Sequence, residues 1–158
     1  MPPTLLCNLD ELDLNSVEAD KEDIRSVNPQ RYEMEQLDGI IHYNPDDGIV
    51  VGFKDVGEEE FWKRGHIPGN PLMPGVLMCE AAAQLCSYYY GRNQESDRFL
   101  GFAGMQDVKF RAPVKPGNRL ILLAKSTEMR RRRATFDTQG VVDDRVVFQA
   151  GITGMPMS

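Results

Sequence analysis

The sequence of 158 residues contains only three cysteines, two histidines and one tryptophan, and this scarcity excludes several classes of protein. Three cysteines are too few for a disulfide framework. Cys79 and Cys86 lie at helical spacing inside an apolar run, so we expect small buried thiols and a reducing, cytoplasmic location. No glycine-rich nucleotide motif, P-loop, CxxC pair or HExxH motif is present, so the chain gives no indication of a nucleotide or zinc site.

Long apolar runs are also missing. None reaches the roughly 18 residues that a membrane-spanning helix needs, and residues 1–15 lack the basic start and apolar core of a signal peptide. The net charge of −6 argues against nucleic-acid binding. Residues 1–60 hold 16 acidic and 4 basic residues, whereas residues 61–158 hold 8 acidic and 14 basic ones. A basic surface built from the second part could still attract an acidic partner.

The most distinctive stretch is residues 65–90, GHIPGNPLMPGVLMCEAAAQLCSYYY. Its first part is rich in proline and glycine, so His66 is predicted to lie on a stiff, irregular loop. From Val76 onward no proline or glycine interrupts the apolar run until Gly91, a residue typical of a helix end. The sequence therefore predicts a buried helix over residues 74–90, apolar on nearly every side.

A carboxylate interrupts this apolar helix. Glu80 lies about two turns in, with Gln84 four residues later on the same face. Since an unpaired buried carboxylate is costly, we expect Glu80 to find a partner or to stay partly protonated. With His66 upstream it forms a candidate acid–base pair. The N–H groups of Gly75 and Val76 at the helix start lack intrahelical acceptors, so they can bind an oxygen that gains negative charge. These groups suit proton abstraction next to a carbonyl, followed by loss of a β-substituent.

The stretch GHIPGNPLMPGVLMCEAAAQ resembles the signature of the β-hydroxyacyl-acyl carrier protein dehydratases of the FabZ/FabA type. In that family a His-aromatic-Pro-Gly turn leads into Met-Pro-Gly-Val-Leu, and the acid follows the histidine by fourteen positions, which here is Glu80. Residues 29–33 (PQRYE) are similar to the family's Pro-His-Arg-Tyr-Pro, and residues 108–122 (VKFRAPVKPGNRLIL) are similar to its later strand pair. The similarity spans roughly residues 24–155.

Three residues depart from the family pattern. Ile67 stands in place of the usual aromatic after the histidine, and this change is expected to reshape the pocket. Gln30 and Glu33 replace the second and last residues of Pro-His-Arg-Tyr-Pro, which leaves the route of substrate entry there open.

The resemblance implies a dehydratase that converts 3-hydroxyacyl-acyl carrier protein thioesters to trans-2-enoyl thioesters, with no metal or organic cofactor. It implies that neutral His66 takes the α-proton, that the N–H of Gly75, with that of Val76, stabilises the enolate oxygen, and that Glu80 assists departure of the β-hydroxyl. Gln84 is expected to be a polar partner of the acid. An apolar channel for the acyl chain would be lined by Met73, Leu77 and Met78.

The resemblance also implies partners. In this family the histidine and the acid of one site come from opposite subunits, so a homodimer or a trimer of dimers is expected, with acyl carrier protein as the substrate carrier. The arginines at 130–133 are predicted to be a solvated strand face. Alternatively, they form a docking site for the acidic carrier protein, together with Lys109, Arg111, Lys115 or Arg119.

The rest of the chain predicts one short helix and about six strands. Asp20 is the expected N-cap of a helix that extends to about Val27. Strands are predicted at 39–43, 48–53, 99–112, 120–127, 130–138 and 141–152, with turns at 44–47, 113–118 and 139–140 and one helical turn over 58–63. This set predicts an α+β fold, an antiparallel sheet wrapped around one long helix, and the resemblance specifies the hotdog fold.

The chain is predicted to have an acidic N-terminal arm, residues 1–20, followed by a single domain over residues 21–158. The arm has little periodicity beyond its leucines, so we expect a loose, largely disordered segment or a short docking segment.

Two other functions stay open from the sequence. A thioesterase on the same fold would use a carboxylate to activate water, and a non-catalytic acyl-thioester-binding protein would keep the pocket without turnover. The products separate the three hypotheses: an enoyl thioester, a free acid plus thiol, or unchanged substrate.

Overall fold

An antiparallel sheet of six strands wraps around one long helix in the structure, a computed structural model that describes residues 2–94 and 97–158. The strands follow the order β1-β2-β4-β5-β6-β3. They are β1 (Gly39–Asn44), β2 (Ile49–Asp55), β3 (Phe99–Phe110), β4 (Arg119–Met129), β5 (Ala134–Val142) and β6 (Arg145–Met157). A short helix α1 (Lys21–Arg25) precedes the sheet, and the long helix α2 spans Gly75–Asn93. The predicted α+β architecture, that of the hotdog fold, is confirmed.

Strand β2 shows how the sheet separates two apolar layers. Its side chains alternate, as the pleat of a strand requires. Val50 packs into the main core with α2, whereas Val51 and Phe53 join a second cluster on the opposite face. Gly52 faces the helix, and a Cβ there would lie 3.0 Å from the Leu85 Cδ1 atom. The helix therefore packs directly against β2.

Helix α2 is buried on nearly every side, as predicted, but it ends later. It begins at Gly75, with Pro74 as its N-cap, and continues through Gly91 to Asn93. The prediction that Gly91 ends the helix was wrong. A Cβ on Gly91 would lie 2.3 Å from the Val27 Cγ1 atom, so the glycine permits close packing of the segment after α1 rather than a C-cap.

The N-terminal arm is not loose. Leu9 is buried, and the neighbouring apolar residues of the arm pack with it on the outer face of the sheet: Leu5, Leu6, Cys7, Leu12 and Leu14. The buried side chain of Gln139 binds the arm at two points, accepting from the Leu6 N–H (2.9 Å) and donating to the Thr4 carbonyl (2.8 Å). The expected disorder was wrong, because the leucines cover the apolar surface that the outward-facing strand residues create.

The last hairpin also differs from the prediction. Gln139 and Gly140 lie within β5, and the turn is made by Asp143 and Asp144, whose φ values are 48° and 63°. Two successive residues with positive φ form the two-residue turn that matches the twist of a hairpin. Gly140 therefore does not mark the turn; a Cβ on it would lie 3.1 Å from the Leu120 Cδ1 atom, so this glycine permits close packing.

The arginine run is a turn and not a strand face. Arg130 and Arg133 exchange backbone hydrogen bonds of 2.8 and 3.4 Å, which places Arg131 and Arg132 at the tip of the β4–β5 hairpin. The side chain of Glu128 pairs with both Arg130 (3.0 Å) and Arg133 (2.8 Å).

Other local predictions hold or need small changes. Helix α1 starts with the expected cap, in which the Asp20 side chain accepts from the Asp23 N–H and the Asp23 side chain accepts in return. It ends at Arg25, earlier than predicted. Residues 58–63 form hydrogen-bonded turns and not a helical segment. Among the described residues, no helix is long and apolar enough to cross a membrane.

Candidate active site

His66 lies at the base of a closed loop between β2 and α2. The His66 carbonyl accepts from the Leu72 N–H (2.9 Å), and the Ile67 and Asn70 backbones bond to each other inside the loop (2.8 and 3.3 Å). The loop is exposed, and its prolines reduce the freedom of the chain between these bonds. The predicted stiff, irregular loop around His66 is therefore present.

One ring nitrogen of His66 is committed to the loop. Its Nδ1 atom lies 2.8 Å from the Leu72 carbonyl oxygen. Because a carbonyl can only accept, Nδ1 must carry the proton in the neutral ring, which leaves Nε2 with a free lone pair. The geometry thus prepares Nε2 to take a proton.

The start of α2 lies beside His66. The N–H groups of Gly75 and Val76 have no acceptor among the described residues, and they lie at the positive end of the helix. A Cβ on Gly75 would lie 2.8 Å from the ring of Phe110. Glycine at this position therefore lets an aromatic ring approach the free N–H groups closely.

A cavity of about 550 Å³ joins these groups. His66, Met73, Gly75, Val76 and Met78 line it on the loop and helix side, and Leu72, Phe110, Arg111, Ala112 and Pro113 complete it. The cavity is mostly apolar, with a base and free backbone donors at one side, as expected of a site for a small polar group on an apolar chain.

Glu80 lies on the same helix within a fixed network of amides. The Gln84 side chain donates to Glu80 Oε1 (2.9 Å) and to the Met34 carbonyl (2.6 Å), and it accepts from the Gln36 N–H (2.9 Å). Gln84 is only 2% exposed and Glu80 is partly buried. Three of the four hydrogen bonds that the Gln84 amide can form are thus made, so the amide has a fixed orientation and orients Glu80.

The segment that holds Gln84 is itself pinned by an ion pair. Arg25 donates to Glu35 from Nε (2.6 Å) and Nη2 (3.0 Å), next to Met34 and Gln36. The hydrogen bonds from Arg25 hold the pKa of the Glu35 carboxyl below its usual value.

A smaller cavity of about 150 Å³ opens beside Glu80. Glu80 and Gln84 supply polar groups, and the remaining lining is Gln30, Ala83, Ser87, Phe99, Leu100, Gly101, Phe102, Ile152 and Gly154. The Oε1 atom of Gln30 is buried without a partner among the described residues.

The structure separates the two predicted reacting groups. His66, Met73, Gly75 and Val76 line the larger cavity, Glu80 and Gln84 line the smaller one, and the two share no described lining residue. Leu77 lines neither of them and packs partly buried against the core. Each cavity within one chain therefore holds half of the predicted chemistry.

Several lining residues escaped the sequence analysis. Phe110 lies within residues 108–122, and its sequence context predicts no role for it. In the structure it covers the helix start and stacks on Phe148, with 5.7 Å between the ring centroids. An aromatic residue within the run KFRAP, opposite a glycine at a helix start, could have signalled a close approach. Phe99 and Phe102 lie on the predicted β3, but nothing in their spacing relates them to Glu80.

The described residues contain no cluster of three or more His, Cys, Asp or Glu side chains placed to hold a metal ion.

Comparison with known proteins connects this geometry to a family. The family model described as "FabA-like domain" matches residues 28–151, which include both cavities' polar groups. The chain belongs to the FabA-like family. The predicted family is therefore confirmed over most of the chain.

Relatives with curated names agree with this FabA-like assignment. The chain is 38% identical over 125 residues to the 3-hydroxyacyl-[acyl-carrier-protein] dehydratase FabZ of Desulfotalea psychrophila, covering 77% of this chain and 83% of that protein. It is 35% identical over 136 residues to the bifunctional enzyme LpxC/FabZ of Chlorobaculum tepidum, covering 85% of this chain but only 29% of that longer protein.

A solved structure supports the FabA-like fold. The dehydratase heterocomplex ApeI:P from Xenorhabdus doucetiae has a chain that superposes with a TM-score of 0.74 at 15% identity, covering 85% of this chain and 91% of that one. At this identity the likeness concerns the fold alone.

Proposed function

We propose that this chain is a 3-hydroxyacyl-acyl carrier protein dehydratase, which converts its thioester substrates to trans-2-enoyl thioesters in fatty-acid or related lipid or polyketide synthesis. Family membership and the curated names of the relatives support this activity. The observation in the chain that carries the proposal is the bond from His66 Nδ1 to the Leu72 carbonyl, because it leaves Nε2 as a base beside free N–H donors.

The reaction removes the elements of water. His66 Nε2 takes the α-proton, and the thioester oxygen gains negative charge at the N–H groups of Gly75 and Val76. As the enolate returns its electrons, the Cα–Cβ double bond forms and the Cβ–O bond breaks. Glu80 gives its proton to the departing hydroxyl, so water leaves, and proton exchange with solvent restores His66 and Glu80.

A homodimer completes the site in this proposal, since His66 and Glu80 line different cavities of one chain. A second copy would bring its His66 loop to the Glu80 cavity of the first. The Glu80 cavity already holds the oriented acid, and the exposed His66 loop is free to reach across a subunit boundary.

Acyl carrier protein is the proposed substrate carrier, and the charges around the His66 cavity fit an acidic partner. Arg64, Lys109, Arg111 and Lys115 are exposed and form no ion pair with any described residue, on a chain of net charge −6. Arg111 lines the cavity itself. Exposed unpaired cations around a site mainly increase the association rate of an anionic partner.

The other predicted docking residues are less suitable. Arg119 forms two bonds to Asp55 (2.7 and 2.9 Å). The arginine turn immediately precedes Ala134, which pairs with Gly154 of β6. The Arg111 N–H donates to the Val147 carbonyl, at the other end of the same strand. Seven residues of strand separate these levels, about 23 Å, so we assign docking to the His66 end.

The free thiols support the proposed cytoplasmic location. All three cysteines are unpaired, and burial raises the pKa of the Cys86 thiol far above its usual value. Such a thiol is inert and needs no oxidising compartment.

Mass spectrometry of the products tests the proposed activity. Purified protein is incubated with 3-hydroxyacyl-acyl carrier proteins of several chain lengths. Loss of one water, in wild type but not in His66→Ala or Glu80→Gln, is the expected result. Release of a free acid would assign a thioesterase, and unchanged substrate at every chain length would assign an acyl-thioester-binding protein.

A further inference from the structure

A lysine lies on the core side of the sheet, where an apolar residue would be expected. Along β2, Val50 and Gly52 face α2, and the two-residue period places Lys54 on that same face. Lys54 is only 5% exposed. A buried lysine needs a partner of opposite charge, because an isolated buried cation is very costly.

The partner is Glu60, from the segment that leads to His66. Lys54 Nζ lies 3.2 Å from Glu60 Oε1, and the two side chains are 6% and 15% exposed. The other carboxylate oxygen, Oε2, accepts from the Gly57 N–H at 3.0 Å. Glu60 thus ties the start of its own segment to the rigid sheet.

Overlapping hydrogen-bonded turns connect Glu60 to the histidine. The Glu60 carbonyl accepts from the Lys63 N–H (3.1 Å), and the Trp62 carbonyl accepts from the N–H groups of Gly65 (3.2 Å) and His66 (2.8 Å). The Trp62 side chain is 4% exposed and packs in the main core. Two buried anchors, the ion pair and the tryptophan, therefore fix the turns from which the His66 loop extends.

We propose that Lys54 and Glu60 are positioning residues that hold His66 in the orientation needed for proton transfer. Neither residue touches the candidate site, so both act through the segment 57–65. This inference rests on the proposed role of His66 as the base. A buried ion pair adds little to stability compared with apolar residues of similar size, and its two directed bonds specify a geometry that an apolar contact would not.

The test replaces the pair by apolar residues and follows His66 directly. In Lys54→Met/Glu60→Leu no buried charge is left unpaired, so we expect the melting temperature to stay within a few degrees of wild type. The His66 loop loses its tether to the sheet. We expect kcat to fall about tenfold to hundredfold with little change in KM.

A spectroscopic readout does not depend on activity. The chain has two histidines, and ¹⁵N signals of the imidazole rings report which nitrogen carries the proton. Wild-type His66 is expected in the Nδ1–H form, bonded to Leu72. In the double variant its signals should shift toward a mixture of tautomers, while those of His42 stay unchanged.

A matched pair on the same segment provides the control. Lys63 and Glu58 also form an ion pair, but their side chains are 35% and 68% exposed. Exposed pairs contribute little, so Lys63→Met/Glu58→Leu should keep both kcat and the His66 tautomer. Glu60→Gln keeps an oxygen acceptor for the Gly57 N–H but leaves the buried Lys54 cation without a counter-charge, so it should lower the melting temperature more than the double variant does.

Two results would overturn the inference, and a third would separate it from the proposed function. A folded Lys54→Met/Glu60→Leu variant with wild-type kcat and an unchanged His66 tautomer would show that the pair does not position the base. Loss of folding in that variant would assign the pair to stability instead. An inactive wild type with the predicted tautomer shift would refute the proposed function but leave the positioning role of the pair intact.

Discussion

The two cavities on helix α2 hold their reacting groups in opposite ways. His66 is exposed on a loop, fixed by backbone carbonyls, beside an open apolar cavity of about 550 Å³. Glu80 is partly buried in the second turn of the helix, held by the side chain of Gln84, beside a smaller and less open cavity of about 150 Å³. In the proposed mechanism the base therefore lies on an exposed loop, and the acid lies partly buried beside the smaller cavity.

In the proposed homodimer, this difference would let each chain supply the base of one site and the acid of the other. The His66 loop is held by its own backbone bonds and by the buried anchors Glu60 and Trp62 at its base. Glu80 is partly buried, and the buried amide of Gln84 gives it a hydrogen-bond donor without adding a second charge. The substitutions below test the two cavities separately.

Removal of the base should have the largest effect. His66→Ala leaves the cavity and the helix start intact but removes Nε2, so we expect kcat to fall about 10²- to 10⁴-fold. Steady-state kinetics on a 3-hydroxyacyl thioester measure this. His42→Ala, on strand β1, is the matched control and should keep wild-type activity; equal losses in both variants would contradict the role of His66.

Addition of a methyl group at the helix start should have the next largest effect. The Cβ of Gly75→Ala would lie 2.8 Å from the Phe110 ring, so the ring or the helix start must move away. Loss of an oxyanion donor costs about 10²- to 10³-fold, and a displaced donor should cost less, roughly tenfold to hundredfold in kcat. The double variant Gly75→Ala/Phe110→Ala removes the clash and should recover part of the rate. If the rate does not recover, the clash with Phe110 is not the cause of the loss in Gly75→Ala.

Removal of the Gln84 amide should lower the activity that depends on Glu80. Gln84→Met keeps the volume but removes the donor to Glu80 and the acceptor of the Gln36 N–H. We expect roughly a tenfold loss of kcat, because a positioning contact and not the acid itself is removed. Faster hydrogen exchange at the Gln36 amide should accompany it. Wild-type kcat with faster exchange would mean that Gln84 supports only the fold.

Acid should weaken the ion pair between Arg25 and Glu35, which supports the segment that holds Gln84. Bonds from Arg25 lower the pKa of Glu35 in the folded chain, so this carboxylate stabilises the fold at pH values above the ordinary glutamate pKa. The contribution is lost as the pH falls through the lowered folded value. Unfolding free energy measured between neutral and acidic pH should therefore decrease less steeply in Glu35→Gln than in wild type. Parallel curves for the two proteins would show that the Glu35 carboxylate does not stabilise the fold.

Much of this arrangement could be predicted from local sequence. Three prolines and Gly69 determine the loop around His66, and the uninterrupted apolar run after Pro74 determines α2, so both were found. The spacing of His66 and Glu80 identified the family. The turn at residues 44–47 was also found. Asparagine favours tight turns because its side chain can accept from following backbone N–H groups, and here Asn44 accepts from Asp46 and Asp47.

Other features depend on contacts between distant parts of the chain. Gly91 and Gly140 look like helix-end and turn residues, but each is a site of close packing against Val27 or Leu120. The leucines of the arm have no helical or strand period, because they cover a sheet face that exists only after folding. The burial of Lys54 likewise depends on how the sheet folds. The sequence alone shows only a lysine at the end of an apolar strand.

The central claim is that His66 and Glu80 of one site come from different subunits. A heterodimer of two inactive chains tests this claim most directly. His66→Ala and Glu80→Gln chains are co-expressed with different tags, and the mixed dimer is purified by both tags. In a two-fold symmetric dimer one of its two sites then carries both substitutions and the other carries neither. We predict about half of the wild-type activity for this mixed dimer, although each homodimer is inactive. An inactive mixed dimer would contradict the account and place both groups in the site of a single chain.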